Sequence, residues 1–348
     1  MPHFVSQHYD DPSPLPDASA HPTTTPFAHS FFRNLARDWI LWPDPEIRWA
    51  RRAAAQLKSI DIDADWVLTT SPPESLHAVG PQLKEALGCR WIAEFRDTWT
   101  VAPHRAALAK WPWRRMIERN IARKCLKSAD AISSVSEAVL SEVRNYVPAG
   151  TPEYIINHFA DAPPAPAKLP KADLNIVHSG GFSLSDRRRK LSDALQVLDS
   201  VNAQRPDHRI HLHIAGQLSP AENRLINARS DKDPSLAKVT RAGSVSLMRS
   251  RALQAGADAL LLHTPEDSHA LPGKYAEYRQ TRVPILYLGG GDWLSLVDDP
   301  KAIQPLGTGL MSLQKGDTVP NACAPGFSAD AAANALVEFL QGIITTDD

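Results

Sequence analysis

LLLHTPEDSHALPGKYAEYRQTRVPILYLGGG, residues Leu260–Gly291, decides how the rest of the chain is read. Its opening run, ending at His263, reads as a buried strand. A polar loop follows from Thr264 to His269, then Pro272-Gly273 and a helical pattern from Lys274 to Gln280. Val283 to Leu288 reads as the next strand and closes on Gly289, Gly290 and Gly291. Strand, loop, helix and strand within about thirty residues make a βαβ unit. The loop joins the carboxyl end of a strand to a helix N-terminus, where unpaired N–H groups and the helix dipole favour a phosphate. Pro272 suits a first helical turn, since its missing N–H would have no partner there. Gly273 lets a ligand approach the backbone, and Lys274 adds a positive charge. Glu277, one turn further on, faces the same side, and its carboxylate can accept hydrogen bonds from a pair of sugar hydroxyls. This outlines a site for a nucleoside diphosphate. The plain alternative is an ordinary helix start with a solvated Glu277, and this stretch by itself does not choose between them.

At 348 residues the chain is too long for one ordinary core and implies two domains. With 43% hydrophobic and 22% charged residues it has a globular composition. A formal net charge of -1 excludes a global field for nucleic acid or membrane. Cys89, Cys125 and Cys323 are far apart without metal spacing, and a reduced, cytoplasmic setting is expected. No basic segment followed by an apolar core marks a signal peptide, and no run is long enough to span a bilayer.

Taken in order, His3–Tyr9 is a plausible first strand, Asp10–Pro26 a Pro-rich loop, and Phe31–Leu41 and Ala50–Ser59 are helical. Strands are expected at Trp66–Thr70, Arg90–Phe95, Asp130–Val135 and Tyr154–Ile156. Helices are expected at Glu74–Leu87, where His77, Gly80 and Leu83 share a face, at Pro112–Ala129 and at Glu137–Tyr146. The proline-rich DAPPAPAKLP, Asp161–Pro170, is a stiff connector. The alternation then restarts: strands Asn175–Gly181, Arg209–Ala215, Val239–Ala242 and Ala257–Leu262, helices Leu191–Asn202 and Leu247–Ala255, and a last helix Ala329–Ile344. Repeated strand–loop–helix units predict α/β, doubly wound parallel sheets. The expected domains are 1–160 and 173–348, joined by a linker at 161–172, with a cleft between them.

Five stretches resemble a known family: TTSPPESLHAVG (Thr69–Gly80), WIAEFRDTW (Trp91–Trp99), IERNIARKCLKSADAISSVSEAV (Ile117–Val139), RAGSVSLMRSRALQAGADALLL (Arg241–Leu262) and LPGKYAEYRQTRVPILYL (Leu271–Leu288). In this order they are similar to a retaining glycosyltransferase of family 4 with the GT-B fold, in the branch that builds bacterial surface or capsular polysaccharides. The resemblance implies two Rossmann-like domains, the C-terminal one holding a nucleotide-sugar donor. It implies that Glu277 binds the ribose hydroxyls and that the backbone of Ala270, Leu271, Pro272 and Gly273 receives the diphosphate, beside Lys274. Gly180 and Gly181, Gly216 and the basic run Arg187, Arg188, Arg189 and Lys190 belong to the same donor site, where positioned cations stabilise the leaving phosphates. Which two of the four basic residues point inward is left open. Val245 would lie near the base. On the acceptor side, Ser71, His77, Arg96 and Asp97 stand at or after strand ends, and His77 or Asp97 would position the acceptor hydroxyl. No metal and no cofactor is implied, the nucleotide sugar being a substrate.

Two departures stand out. The family's paired glutamates have seven residues between them, and counting back from Glu277 lands on His269, which would change the contact to the donor sugar; Glu266 and Asp267 are nearby substitutes. The N-terminal domain lacks strand–helix units that the family carries and is shortened. A non-catalytic GT-B subunit that binds a nucleotide sugar, and a nucleotide-sugar epimerase, are the alternative readings. From Arg105 to Lys127, eight Lys/Arg face a single Glu118, with Trp111, Trp113 and Met116 among them. That pattern suits a helix lying on an anionic membrane surface, hence a cytoplasmic protein on the inner membrane face with a lipid-linked acceptor. A solvated helix with its tryptophans packed inward fits the same residues. No nucleic-acid module accompanies the patch.

Overall fold

The computed structural model describes residues 42–44, 46–60, 62–100, 112–171, 173–205, 209–230, 233–268, 271–319 and 327–346. The expected first strand, the loop and helix that follow it, and residues His269 and Ala270 fall outside these. The chain divides into two units, Met1–Ile155 and Ile156–Asp348. Each is an α/β unit built on a parallel sheet.

In the N-terminal unit, α1 (Ile47–Leu57), β1 (Trp66–Ser71), α2 (Ser75–Leu87), β2 (Arg90–Phe95), α3 (Pro112–Leu126), β3 (Ala131–Ser134), α4 (Glu137–Val143) and β4 (Glu153–Ile155) follow in order. The strands pair in parallel as β1-β2-β3-β4 among the described residues. Helix α2 ends at Gly88 in the left-handed conformation, φ 64°, a position that favours glycine. Its inner face carries His77, Gly80 and Leu83, as the helical spacing predicts. Gly80 lets the helix close on Trp91, whose indole is fixed by an Nε1–H bond to Thr69 Oγ1 at 2.8 Å.

The C-terminal unit contains β5 (Leu174–Ser179), α5 (Leu191–Gln204), β6 (Ile210–Ala215), α6 (Pro220–Asn227), β7 (Lys238–Gly243), α7 (Leu247–Ala255), β8 (Ala259–His263), α8 (Gly273–Arg279), β9 (Ile285–Leu288), β10 (Ile303–Pro305), α9 (Leu306–Ser312) and α10 (Ala329–Thr346). Its six parallel strands run β10-β9-β8-β5-β6-β7. The residues of β5, β6 and β8 are all buried, because helices cover both faces. Leu191, Ala194, Leu195, Leu198 and Val201 of α5 pack with Leu174, Ile176 and Leu261 on one face. Leu253 of α7 and Tyr275, Ala276 and Tyr278 of α8 pack with Val177, Leu260 and Leu262 on the other. The chain therefore leaves β5 and β8, which are neighbours, toward opposite faces. Edge strand β7 is largely exposed and carries Lys238 and Arg241, which oppose edge-to-edge pairing.

Three C-terminal elements, α6, β10 and α9, are additions to the sequence reading. Helix α6 had a legible signal: Ser219 and Glu222 form a capping box.

A methyl group at Gly80 would stand 2.2 Å from Trp91 Cζ2. Alanine gains about 1 kcal/mol over glycine in a helix, but forcing an atom into a packed core costs about 1–3 kcal/mol. Gly80→Ala is expected to lower the denaturant midpoint in an equilibrium unfolding experiment; an unchanged or raised midpoint contradicts this packing.

Candidate functional site

Ligands of open parallel sheets bind at the carboxyl ends of neighbouring strands whose connections leave toward opposite faces. In the C-terminal unit that place is between β5 and β8. The end of β5 is shaped by glycines. Gly180 has φ 107° and its N–H donates to Ala215 O at 2.8 Å. A Cβ on Gly216 would lie 2.3 Å from the Gly180 carbonyl oxygen, so only glycine lets β6 end against β5 here. Gly181 follows, with backbone and Ser185 Oγ neighbours at 3.2 Å from any added Cβ.

On the α7–α8 face a polar network rises to Glu277. Lys274 Nζ donates to Glu277 Oε1 at 2.9 Å and to Oε2 at 3.0 Å. Gln254 Nε2 reaches Glu277 Oε2 at 3.1 Å and Ser179 Oγ at 3.0 Å, and Ser250 Oγ lies 3.1 Å from Ser179 Oγ. The Tyr278 hydroxyl donates to Leu261 O and accepts the Ser179 N–H at 3.1 Å. Burial pushes the Tyr278 phenol up to about 12, so it stays protonated. The network thus joins the end of β5 to α7 and α8 and holds a carboxylate above the strand ends.

On the α5 face the basic run sorts itself. Arg189 turns toward the strand ends, where its charge acts on His178, His263 and Tyr278. Burial pulls its guanidinium below the ordinary arginine range, and its Nε has no hydrogen-bond partner. Arg188 is exposed and pairs with Asp186 at 2.8 Å and Asp267 at 2.6 Å, which ties the β5–α5 loop to the β8–α8 loop. Arg187 and Lys190 are exposed. Glu222 of α6 accepts N–H bonds from Ser183 and Ser219 at 2.9 and 2.7 Å, fixing the loop that carries Phe182. Burial opposes the Glu222 charge, but these donors outweigh it and hold its carboxyl below the usual range.

The structure therefore brings Gly180, Gly181, Gly216, Arg188, Arg189, Lys274 and Glu277 around the ends of β5 and β8. Leu271 is buried in the core, and Pro272 precedes the first residue of α8. The space a Cβ would take at Gly273 meets the His158 ring at 3.4 Å. Val245 packs half-buried beside the core under α7 and α8.

In the N-terminal unit Ser71, Arg96 and Asp97 collect at the ends of β1 and β2, with the Arg96 N–H donating to Ser71 O at 3.0 Å. Arg96 is exposed, Asp97 half-buried and Ser71 buried. His77 lies buried against Phe95, the last residue of β2, and its Nε2 has no hydrogen-bond partner. It is 0% exposed, 2.7 Å from Thr69 Oγ1, with Phe95 4.4 Å and Trp99 6.0 Å from its ring. Burial lowers its pKa to about 3, so the ring is neutral.

Among the described residues no group of three or more His, Cys, Asp or Glu is placed to hold a metal, and no helix is long and apolar enough to cross a membrane. A groove of about 740 Å³ between α5 and α9, lined by Val197, Gly307 and Met311, lies on the face of the sheet away from Glu277. Its lining also includes Asp193, Gln196, Ser200, Gln204 and Thr308 but no lysine or arginine to meet a phosphate.

Several residues here escaped the sequence reading. Ser179, Ser250, Gln254 and Tyr278 come together over long chain separations, and each alone is unremarked. His178 and His263 carried a faint signal, since each interrupts an apolar run at a strand end.

Among solved structures the chain is similar to HepE from Anabaena in complex with UDP and glucose, with TM-score 0.57 and 14% identity over 85% of this chain and 82% of that one. It is equally similar to sucrose-phosphate synthase from Thermosynechococcus elongatus, with TM-score 0.57 and 16% identity over 86% and 78%. AviGT4, a glycosyltransferase involved in avilamycin A biosynthesis, matches with TM-score 0.51 and 15% identity over 88% and 80%. The fold is GT-B. At these identities the likeness carries the fold and nothing finer. No protein-family model and no curated protein sequence matches the chain.

Four histidines, His77 and His178 at about 3 and His213 and His263 at about 4, are held neutral by burial. Unfolded, each protonates near its ordinary value of 6.5, so between pH 6.5 and 4 the unfolded state binds more protons. Their contribution to stability is full above pH 6.5 and is lost on acidification, by up to about 1.4 kcal/mol per pH unit for each. Denaturant midpoints should fall steadily from pH 7 to pH 4.5; a flat or rising profile contradicts the neutral burial.

Proposed function

We propose that the chain is a retaining glycosyltransferase that moves a sugar from a nucleotide diphosphate donor to a hydroxyl acceptor in the synthesis of a surface polysaccharide or glycoconjugate. The observation that carries this reading is the Glu277 carboxylate, held by Lys274 and Gln254 above the ends of β5 and β8 with Arg189 on the other side of the same strand ends. The UDP and glucose complex of HepE supports it.

In this reading a ribose displaces Lys274 from Glu277, and its two hydroxyls donate to the carboxylate. Gly180, Gly181 and Gly216 give the flat floor for the diphosphate, with Arg189 beneath it and Arg188 and Lys190 at its rim. The backbone of Ala270 to Gly273 completes the diphosphate contacts, and Val245 lies against the base. As the glycosidic bond to the donor breaks, negative charge grows on the leaving diphosphate, and these fixed cations stabilise the transition state more than the ground state. The acceptor hydroxyl attacks on the face the diphosphate leaves and passes its proton to the departing phosphate oxygen. Ser71, Arg96 and Asp97 are the acceptor-side groups; His269 takes the place of a sugar-contacting carboxylate. No metal or cofactor takes part in this scheme.

A second reading, a nucleotide-sugar-binding subunit without turnover, follows from His269 standing where the family carries a glutamate. The two differ in whether free nucleoside diphosphate is released from the donor. Calorimetric titration with UDP, GDP, dTDP and ADP is expected to show one specific nucleotide, weakened at least about tenfold in Glu277→Ala. No binding of any of them at millimolar concentration contradicts the donor site.

For location, α3 exposes Trp113, Met116 and Ile117 together with Arg119, Arg123 and Lys124, while Arg114 and Glu118 turn inward. An apolar strip bordered by cations is the pattern of a helix that rests on anionic headgroups on the cytoplasmic membrane face. Sedimentation with phosphatidylserine-containing vesicles is expected at low salt and should be lost in Trp113→Ala/Met116→Ala; equal recovery with phosphatidylcholine alone contradicts this role.

A further inference from the structure

His178 and His263 end neighbouring strands on the α5 face, 1% and 5% exposed. Phe182 stacks on His178 with centroids 4.2 Å apart and meets His263 edge-on at 5.7 Å. His178 has one nitrogen committed: its Nδ1 donates to the Leu261 carbonyl at 2.9 Å and Phe182 stacks on its ring, while its Nε2 has no hydrogen-bond partner. His263 has no such bond to the strand at its Nδ1. Its Nδ1 is buried without a hydrogen-bond partner, and so are Thr264 Oγ1 beside it and Nε of Arg189. Buried polar atoms are usually satisfied, so four unpaired ones together, with His178 Nε2 the fourth, point to a ligand that supplies their partners.

The charges around the site set the sign of that ligand. Arg189 has no hydrogen-bonded carboxylate among the described residues, since Arg188 takes Asp186. The groups acting on the His263 ring are Arg189 from the β5–α5 loop, His178 from β5 and Asp193 from the first turn of α5. Leu288, its neighbour on β9, is apolar. Asp193 and Asp186 lie near these groups, but neither bonds the buried Nε of Arg189, which is a donor left without an acceptor beside the start of α5. A phosphate meets that need.

We propose that His263 takes up a proton when a nucleoside diphosphate binds beside Arg189, so that an imidazolium and a guanidinium hold the phosphate together. This rests on the donor-site reading above. Without ligand, burial and the Arg189 charge hold the ring at about 4, so it is neutral near pH 7. A bound diphosphate cancels the repulsion from Arg189 and offers an acceptor to the ring N–H, and both favour the charged form. The proton comes from solvent. Because the bound state holds more protons than the free state, affinity weakens as pH rises through the bound-state value. Ionisation of the nucleotide's own phosphate on binding would release protons instead, so the sign separates the two sources.

The test is calorimetric titration of the wild type with UDP and with GDP at pH 7.5, in Pipes and in Tris, whose ionisation enthalpies differ widely. The expected result is net uptake approaching about one proton per site, read from the buffer dependence of the enthalpy. His263→Gln is expected to bind about tenfold more weakly, with the buffer dependence gone. Binding with a buffer-independent enthalpy in the wild type overturns the proposal and leaves the donor site standing. So does uptake that persists in His263→Gln. Failure of both nucleotides to bind overturns the donor-site reading together with this one.

Discussion

Gly216 lies against the carbonyl of Gly180, and a Cβ there would stand 2.3 Å from that oxygen. This close approach brings the ends of β5 and β6 level and clears the space above them. The strands themselves are fixed by ordinary forces: parallel pairing, burial on both faces, and helices that return on the side their connections dictate. Because β5 sends its chain to one face and β8 to the other, the opening between them belongs to neither helix layer. Ser179, Gln254, Lys274 and Glu277 gather around that opening on one face and Arg189 on the other.

What gathers there is divided between the two faces. On the α7–α8 side, Glu277 has all its negative charge answered by Lys274 and Gln254. A ligand with two hydroxyls gains the carboxylate only by replacing part of that set, which favours a ligand able to bond Lys274 as well. On the α5 side, the buried Nε donor of Arg189 is left without an acceptor. A molecule that joins hydroxyls to phosphates matches this asymmetry, with its hydroxyls toward α8 and its phosphates toward α5.

Most of the fold was legible from apolar periodicity. Strands with buried faces, such as Asn175–Ser179 and Ala259–Leu262, stand out as runs of Ile, Val and Leu, and helices such as α5 show their stripe. Elements with weaker signals, such as β10 and α9, were not. The site was legible only in part. Lys274 and Glu277 are local features of a βαβ unit, visible as a pattern over a few residues, whereas Gly180 and Gly216 entered the site only through the family resemblance. The choice of Arg189 from a run of four cations was not visible, because it depends on the turn in which Asp186 holds Arg188. His77 shows the reverse case: a strand-adjacent histidine on an inner helical face fits a site and a core equally well, and only packing against Phe95 and Trp99 shows that it lies in the core. The Ser179–Gln254–Glu277 network joins residues far apart in the chain, which no single-sequence pattern encodes.

A phosphate-bearing ligand over the carboxyl ends of β5 and β8 leaves its footprint in backbone exchange. Hydrogen–deuterium exchange with and without a saturating nucleoside diphosphate tests it most directly. The prediction is slowed exchange at Gly180 to Ser183, at Thr264 and across Lys274 to Glu277, with the N-terminal sheet unchanged. Slowed exchange confined to the groove between α5 and α9, or found elsewhere with these segments unaffected, would contradict it.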